Sequence, residues 1–143
     1  WEGGARVPCI MRWPNKIAPD QTITKIASTI DIYPTIAEIV GDEIKGYKND
    51  GFSLLPILNG DEKSDPRKEL YYYYGEKLIA VRKEKWKLVF PHTYRSYEGV
   101  EPGKNLYPGP YNRGRSGLEL YDLINDIGEK KNVARLFPEI VQE

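Results

Sequence analysis

The 143-residue chain has little of the chemistry that marks several common classes of protein. Its single cysteine, Cys9, excludes an internal disulfide, and with a single histidine, His92, it supplies too few soft ligands for a zinc site. Lysine plus arginine number 21, and so do aspartate plus glutamate, so the positive excess typical of nucleic-acid-binding proteins is missing. We therefore expect no nucleic-acid partner.

Long apolar runs are missing as well. The purely apolar stretches are only a few residues long, whereas a membrane-spanning helix needs roughly 18, so we expect no membrane partner. The chain opens on Trp1 rather than on a methionine and shows no signal-like segment. We interpret it as a piece of a longer protein, and the sequence leaves its localisation unknown.

What is present is typical of a folded protein: 40% of the residues are hydrophobic, and 11 are tyrosines. Apolar residues within 5–13 predict a short strand in which Cys9 is buried. Asp31 is a suitable helix N-cap, and the spacing of the apolar residues after it predicts an amphipathic helix that ends at Gly41. Residues 51–60 predict one or two further helical turns.

A change of pattern in the middle of the chain divides it. Residues 61–67 contain no apolar residue and include a proline, which is typical of an exposed boundary, and we place that boundary near Ser64. Beyond it, alternation with period two predicts a four-stranded antiparallel sheet, and residues 138–141 predict a helix packed on that sheet. The predicted strands are residues 69–74, 78–82, 86–90 and 118–123.

The third predicted strand, residues 86–90, predicts which side of the sheet packs against a core. Trp86, Leu88 and Phe90 lie on one side and predict a core there, while Lys85 and Lys87 point to the other side. The turn before this strand should need a residue at positive φ, a role that falls to Glu84 or a neighbouring lysine.

Residues 91–117 predict a long loop without secondary structure. Loops of this length are usually either disordered or functional, and four tyrosines favour an ordered, functional one. His92 lies just past a strand end, where binding groups collect, although an ordinary surface histidine is the alternative. The tyrosines of residues 71–74 form either a stacking platform or part of the core.

An acidic segment near the C-terminus also allows two interpretations. Its oxygen-bearing residues could form a calcium loop, or Asn125 or Asp126 could cap a turn of its own backbone. The spacing lacks the alternate acidic positions of an EF-hand, so the turn explains it at least as well. The residues concerned are Asp122, Asn125, Asp126, Gly128 and Glu129.

Several segments, distributed over nearly the whole chain, carry a family resemblance. They are WEGGARVP (1–8), RWP (12–14), STIDIYPT (28–35), DGFSLLP (50–56), AVRKEKWKL (80–88) and LYDL (120–123), followed by Asp126, Glu129 and Asn132. In this order and spacing they resemble the C-terminal part of the type I sulfatases, the arylsulfatase family of the alkaline-phosphatase-like superfamily. Many family members have glycine at the position of Glu84 and proline at that of Ile127.

The resemblance implies an α+β fold. Residues 1–64 would be the tail of the large α/β domain, and residues 65–143 would form the small C-terminal domain, a four-stranded antiparallel sheet with a packed helix. It also implies a parent enzyme that hydrolyses sulfate esters with a formylglycine nucleophile held against calcium. Cys9 lacks the proline two residues later that the modification motif requires, so the nucleophile and calcium ligands would lie before Trp1. We therefore expect no catalytic residue, no metal ligand and no cofactor within this chain.

In the family, loops of the C-terminal domain form part of the wall that faces the substrate. The resemblance therefore makes His92, Tyr94 and Arg95 candidate substrate-binding residues, and the substrate of the parent would be a sulfated small molecule or carbohydrate. Two alternatives remain: a fragment of a related phosphonate or phosphodiester hydrolase, and a non-catalytic carbohydrate-binding module.

The same resemblance predicts exposed apolar surface. Residues 5–41 would belong to a sheet whose other strands lie outside this chain, so Ile10, Ile36 and Ile39 should lack neighbours. Residues 1 to about 64 should then either be less ordered than the C-terminal unit or pack against another copy of the chain.

Overall fold

The computed structural model describes residues 1–44 and 48–143. The chain packs as two compact units. We call residues 6–70 the N-terminal unit, and residues 1–5 together with 71–143 the sheet unit. The assignment of residues 1–64 and 65–143 to two domains of a parent protein stays a prediction.

The first helix, α1 (Glu2–Ala5), belongs to the sheet unit. The described part of the N-terminal unit contains a 3-10 turn (Thr29–Asp31) and the helices α2 (Ile32–Val40) and α3 (Leu55–Leu58). The prediction of a strand within residues 5–13 is wrong. This segment forms no strand in the structure, and none of the described strands pairs with it to hydrogen-bond its backbone N–H and C=O groups. The predicted burial of Cys9 is also wrong, since the thiol is exposed.

The predicted helix after Asp31 is confirmed as α2, which ends at Gly41 with φ of 71°. The buried Asp31 carboxylate accepts hydrogen bonds from the backbone N–H groups of Ser28 (2.8 Å) and Phe52 (2.9 Å) and from the Arg67 guanidinium. Burial alone would raise the pKa of Asp31, but these hydrogen bonds, that from Arg67 foremost, lower it below its ordinary value. This charged network ties α2 to the residues that follow it.

The apolar side of α2 is largely uncovered. Ile36 is 53% exposed and Ile39 is 38% exposed, and Ile10, outside the helix, is 93% exposed. Pro34 and Thr35 are the buried residues of the helix, because this side meets the Asp31 network and α3. The expectation that these isoleucines lack neighbours is confirmed.

The sheet unit contains the predicted four-stranded sheet, with strand order β1-β2-β3-β6. The strands are β1 (Glu69–Tyr74), β2 (Lys77–Lys83), β3 (Trp86–Val89) and β6 (Glu119–Asp122), and the terminal helix is α4 (Pro138–Gln142). β3 pairs antiparallel with both β2 and β6. Glu84 has φ of 50° in the turn between β2 and β3, as predicted.

The more deeply buried side of β3 differs from the prediction. Trp86, Leu88 and Phe90 are only partly buried, whereas Val89 is 2% exposed and Lys87 is 3% exposed. The predicted outward direction of Lys87 is wrong, because its ammonium group forms ion pairs inside the unit with Glu2 and Glu129, which lie in two distant segments.

The prediction that residues 91–117 form a long loop without secondary structure is also wrong. Two strands within it, β4 (His92–Ser96) and β5 (Asn112–Ser116), pair as a separate antiparallel sheet. Polar residues dominate both strands, so the alternation of apolar and polar residues that identified the other strands does not occur here.

Candidate substrate-binding surface

The β4–β5 hairpin carries all three predicted substrate-binding residues. In its register His92 lies opposite Ser116, Tyr94 opposite Gly114, and Arg95 opposite Arg113. Since side chains alternate between the two faces of a strand, His92 and Tyr94 share the covered face and Arg95 lies on the exposed face. The structure therefore places these residues on one element but on two sides of it.

His92 is half-buried, and its ring is held by its neighbours. Its Nδ1 lies 2.7 Å from the carbonyl oxygen of Phe90 and 2.9 Å from the hydroxyl of Ser116. Because a carbonyl can only accept, Nδ1 carries the hydrogen, and in the neutral ring Nε2 is the acceptor. This arrangement leaves an oriented acceptor nitrogen for a hydroxyl donor of a ligand.

Tyr94 owes its position to a glycine. A Cβ at Gly114 would lie 2.5 Å from the Tyr94 ring atom Cζ, so only glycine lets the ring lie across β5. The ring also meets Trp1 edge-on at a centroid distance of 5.4 Å. Tyr94 thus has little freedom to reorient.

Arg95 lies with its guanidinium 4.8 Å from the centre of the Tyr111 ring, a cation–π contact. These two side chains and the other predicted residues line an open cavity of about 320 Å³. Its lining consists of Tyr74, Ile79, His92, Thr93, Tyr94, Arg95, Tyr111 and Arg113.

Sequence reasoning missed Tyr111, Arg113 and Arg115. The alternation Arg113-Gly114-Arg115 was the available signal, because it places two cations on one face of a strand and a small residue on the other. Tyr74, from the tyrosine run, also borders the cavity, whereas Tyr72 packs against the core of the main sheet. The core role considered for the run is thus confirmed for Tyr72, and its role as a stacking platform stays a prediction.

An ion network inside the sheet unit anchors the first residues of the chain. The Lys87 Nζ lies 3.0 Å from Glu2 Oε1 and 2.8 Å from Glu129 Oε1, and all three side chains are buried. Glu129 also accepts a hydrogen bond from the backbone N–H of Glu2. Burial and the adjacent Glu2 charge raise the pKa of Tyr72, whose hydroxyl donates to Glu2, to about 12.

The acidic segment behaves as the predicted turn. Asp126 accepts hydrogen bonds from the N–H groups of Lys130 (2.9 Å) and Lys131 (2.7 Å), which lower its pKa. Asp122 accepts from Lys85 Nζ at 2.9 Å, and this hydrogen bond is the main cause of its lowered pKa. In residues 1–44 and 48–143, no group of three or more His, Cys, Asp or Glu side chains is arranged to hold a metal ion. Across the same residues, the helices are too short or too polar to cross a membrane.

The four-stranded antiparallel sheet, the separate hairpin and the few helices make this an α+β chain. Residues 1–102 match the family model described as N-sulphoglucosamine sulphohydrolase, C-terminal, and the chain belongs to this family. It is 33% identical to the steryl-sulfatase of Mus musculus over 141 residues, covering 92% of this chain and 23% of the relative. It is 34% identical to the arylsulfatase A of Homo sapiens over 151 residues, covering 99% of this chain and 29% of the relative.

Two solved structures share this fold. The PsFucS1 sulfatase of Pseudoalteromonas sp. superposes with a TM-score of 0.67 at 19% identity, covering 88% of this chain and 25% of that chain, which shows the fold. A protein from work on the metabolism of multiple glycosaminoglycans by Bacteroides thetaiotaomicron superposes with a TM-score of 0.59 at 27% identity. The match covers 92% of this chain and 26% of that chain. The chain thus spans about a quarter of the length of these relatives.

Proposed function

We propose that this chain is the C-terminal portion of a sulfatase that hydrolyses sulfate esters, in which it supplies structural support and part of the substrate-binding wall. The observation that carries the proposal is the cavity formed by His92, Tyr94 and Arg95 in a member of the sulfatase family. None of the comparisons supports a phosphonate or phosphodiester hydrolase or a non-catalytic carbohydrate-binding module.

The residues of this chain do not fit the calcium ion and the formylglycine that the family resemblance implies for the parent. The carboxylates of the acidic turn accept backbone N–H groups and Lys85, and Cys9 lacks the motif for conversion to formylglycine. We therefore assign no bond-breaking step to any residue of this chain.

Binding is the contribution that its residues support. A guanidinium such as that of Arg95 can donate two parallel hydrogen bonds to the oxygens of a sulfate group. The acceptor nitrogen of His92 suits a ligand hydroxyl, and the Tyr94 ring offers an apolar face with a polar edge. These groups match a sulfated small molecule or carbohydrate as the ligand of the parent.

The first test compares the isolated chain with a longer protein that contains it. We expect the longer protein to hydrolyse 4-nitrophenyl sulfate and the isolated chain to give no turnover above a buffer blank. Calorimetry of the isolated chain should show no micromolar calcium site. Turnover by the isolated chain would contradict the proposal, and so would a longer protein that cleaves phosphate esters but not sulfate esters.

A second test perturbs the wall through one backbone position. Gly114→Ala should displace the Tyr94 ring, change the fluorescence of the adjacent Trp1 and raise KM for a sulfated substrate by about tenfold, with kcat little affected, because the wall binds rather than reacts. Gly117→Ala is the matched control, since nothing lies within 4 Å of a Cβ there. Equal behaviour of the two variants would remove Tyr94 from the proposed site.

The exposed isoleucines support a further part of this proposal. In a parent sulfatase, Ile10 and the uncovered side of α2 would be packed against the rest of the enzyme. In the isolated chain, the same surface would either stay exposed and leave the N-terminal unit less ordered, or be covered by a second copy.

A further inference from the structure

Three cations share the exposed face of the β4–β5 hairpin, and we call Arg95, Arg113 and Arg115 the arginine face. Arg95 lies directly opposite Arg113 in the register, and Arg115 is two residues further along the same strand as Arg113. The two positions along β5 are therefore about 7 Å apart. All three side chains are exposed.

This arrangement is unfavourable without a ligand. Like charges placed directly opposite each other destabilise an antiparallel pair. Within the described part of the chain, no carboxylate forms an ion pair with any of the three arginines. An anion brought between them would relieve the repulsion and gain charge-assisted hydrogen bonds.

The number of positive charges on the arginine face indicates how many acidic groups the anion carries. A sulfate monoester carries one negative charge, whereas the arginine face presents three positive charges. The adjoining cavity of about 590 Å³, which is lined in part by Arg115, Lys77 and Glu76, extends the surface beyond the space that one ester group would fill. A ligand with several acidic groups along its length would match both the charge and the extent.

We propose that the arginine face binds additional acidic groups of an anionic glycan, so that the substrate class of the parent is a multiply sulfated oligosaccharide. This inference rests on the proposed sulfatase function. Exposed rings of Tyr97 and Tyr111 lie 6.3 Å apart beside Arg95 and can pack against the apolar faces of sugar rings. The net charge of zero argues against a nucleic acid as the polyanion.

The test measures binding of a sulfated hexasaccharide to this chain by calorimetry. We expect the hexasaccharide to bind more tightly than 4-nitrophenyl sulfate, and its desulfated counterpart to bind at least about tenfold more weakly. Affinity should fall as salt rises, because the contact is between exposed charges. The double variant Arg113→Ala/Arg115→Ala should weaken binding by about tenfold or more and reduce the salt dependence.

Matched variants keep the result interpretable. Arg135→Ala removes one exposed positive charge outside the hairpin and should change the affinity less than about twofold. Arg113→Lys/Arg115→Lys keeps the charge but loses the forked donors, so it should bind with intermediate affinity and protects the test against a misfolded alanine variant. An unchanged affinity in both double variants, or an equal loss in Arg135→Ala, would overturn the inference. Single-stranded DNA bound as tightly as the hexasaccharide would overturn the assignment to a glycan.

The failure of this inference can be told apart from failure of the proposed function. Suppose that a longer protein cleaves 4-nitrophenyl sulfate but the arginine substitutions do not change hexasaccharide binding. The proposed sulfatase function would then be supported, and the proposed role of the arginine face would be contradicted. If hexasaccharide binding depends on the arginines but the longer protein cleaves no sulfate ester, the glycan-binding role of the arginine face would be supported and the proposed sulfatase function contradicted.

Discussion

At the scale of single residues, the buried ammonium of Lys87 shows how a charge can be tolerated in the interior. Two carboxylates within 3.0 Å of Nζ replace the lost water, and Arg82 approaches one of them at 3.8 Å. Removing one partner of such a group costs more than the pair contributes, because the remaining charges stay buried and uncompensated. The network thus makes the position of Glu2 depend on Lys87.

We predict that Lys87→Met lowers the free energy of unfolding by about 3–5 kcal/mol, since the buried Glu2 and Glu129 carboxylates would both lose their ion pair with its ammonium group. Urea denaturation followed by circular dichroism measures this loss. Lys85→Met is the control: its partner Asp122 is near the surface, so the loss should be about 1 kcal/mol or less. Equal losses in the two variants would show that the buried network adds nothing beyond a surface pair.

At the scale of secondary-structure elements, the main sheet could be predicted because its strands alternate apolar and polar residues and are separated by polar turns. The β4–β5 hairpin could not, because Arg113, Gly114 and Arg115 carry no apolar alternation, and their pairing with β4 depends on contacts distant in sequence. The inward side of β3 was misjudged for a similar reason: the carboxylates that form ion pairs with Lys87 come from α1 and the acidic turn.

The turn between β2 and β3 allows a prediction at this scale. Glu84 holds φ of 50°, a conformation that strains a residue with a side chain, so Glu84→Gly should stabilise the sheet unit by up to about 1 kcal/mol. Thermal unfolding measures the change. Glu76→Gly, in the turn between β1 and β2 where the positive φ belongs to Gly75, should instead be neutral or destabilising. A destabilised Glu84→Gly variant would show that the side chain, rather than the backbone, matters at this turn.

At the scale of the whole molecule, the sequence predicted the family and the fold class, because motifs over most of the chain kept their order. His92, Tyr94 and Arg95 stay predicted substrate-binding residues; the sequence placed them close together because they are neighbours in the chain, whereas Arg113, which lines the same cavity, is distant in sequence and was missed. The family resemblance predicted that Ile10, Ile36 and Ile39 lack neighbours within this chain, but it did not predict what packs on them.

That exposed surface leads to the prediction for the isolated chain. Burying an aliphatic side chain contributes about 1.5–3 kcal/mol, and several left in water remove much of the roughly 5–15 kcal/mol by which a small domain is stable. We therefore expect the N-terminal unit either to exchange its amide hydrogens faster than the sheet unit or to be protected by association with a second copy. Hydrogen exchange and size-exclusion chromatography with light scattering, measured on one sample, distinguish these outcomes.

Ile10→Glu/Ile36→Glu should weaken any association, while Ile124→Glu, a change at an exposed isoleucine of the sheet unit, should not. A monomer with equal protection in both units would show that residues 6–70 have a self-sufficient core and that the uncovered isoleucines require no partner.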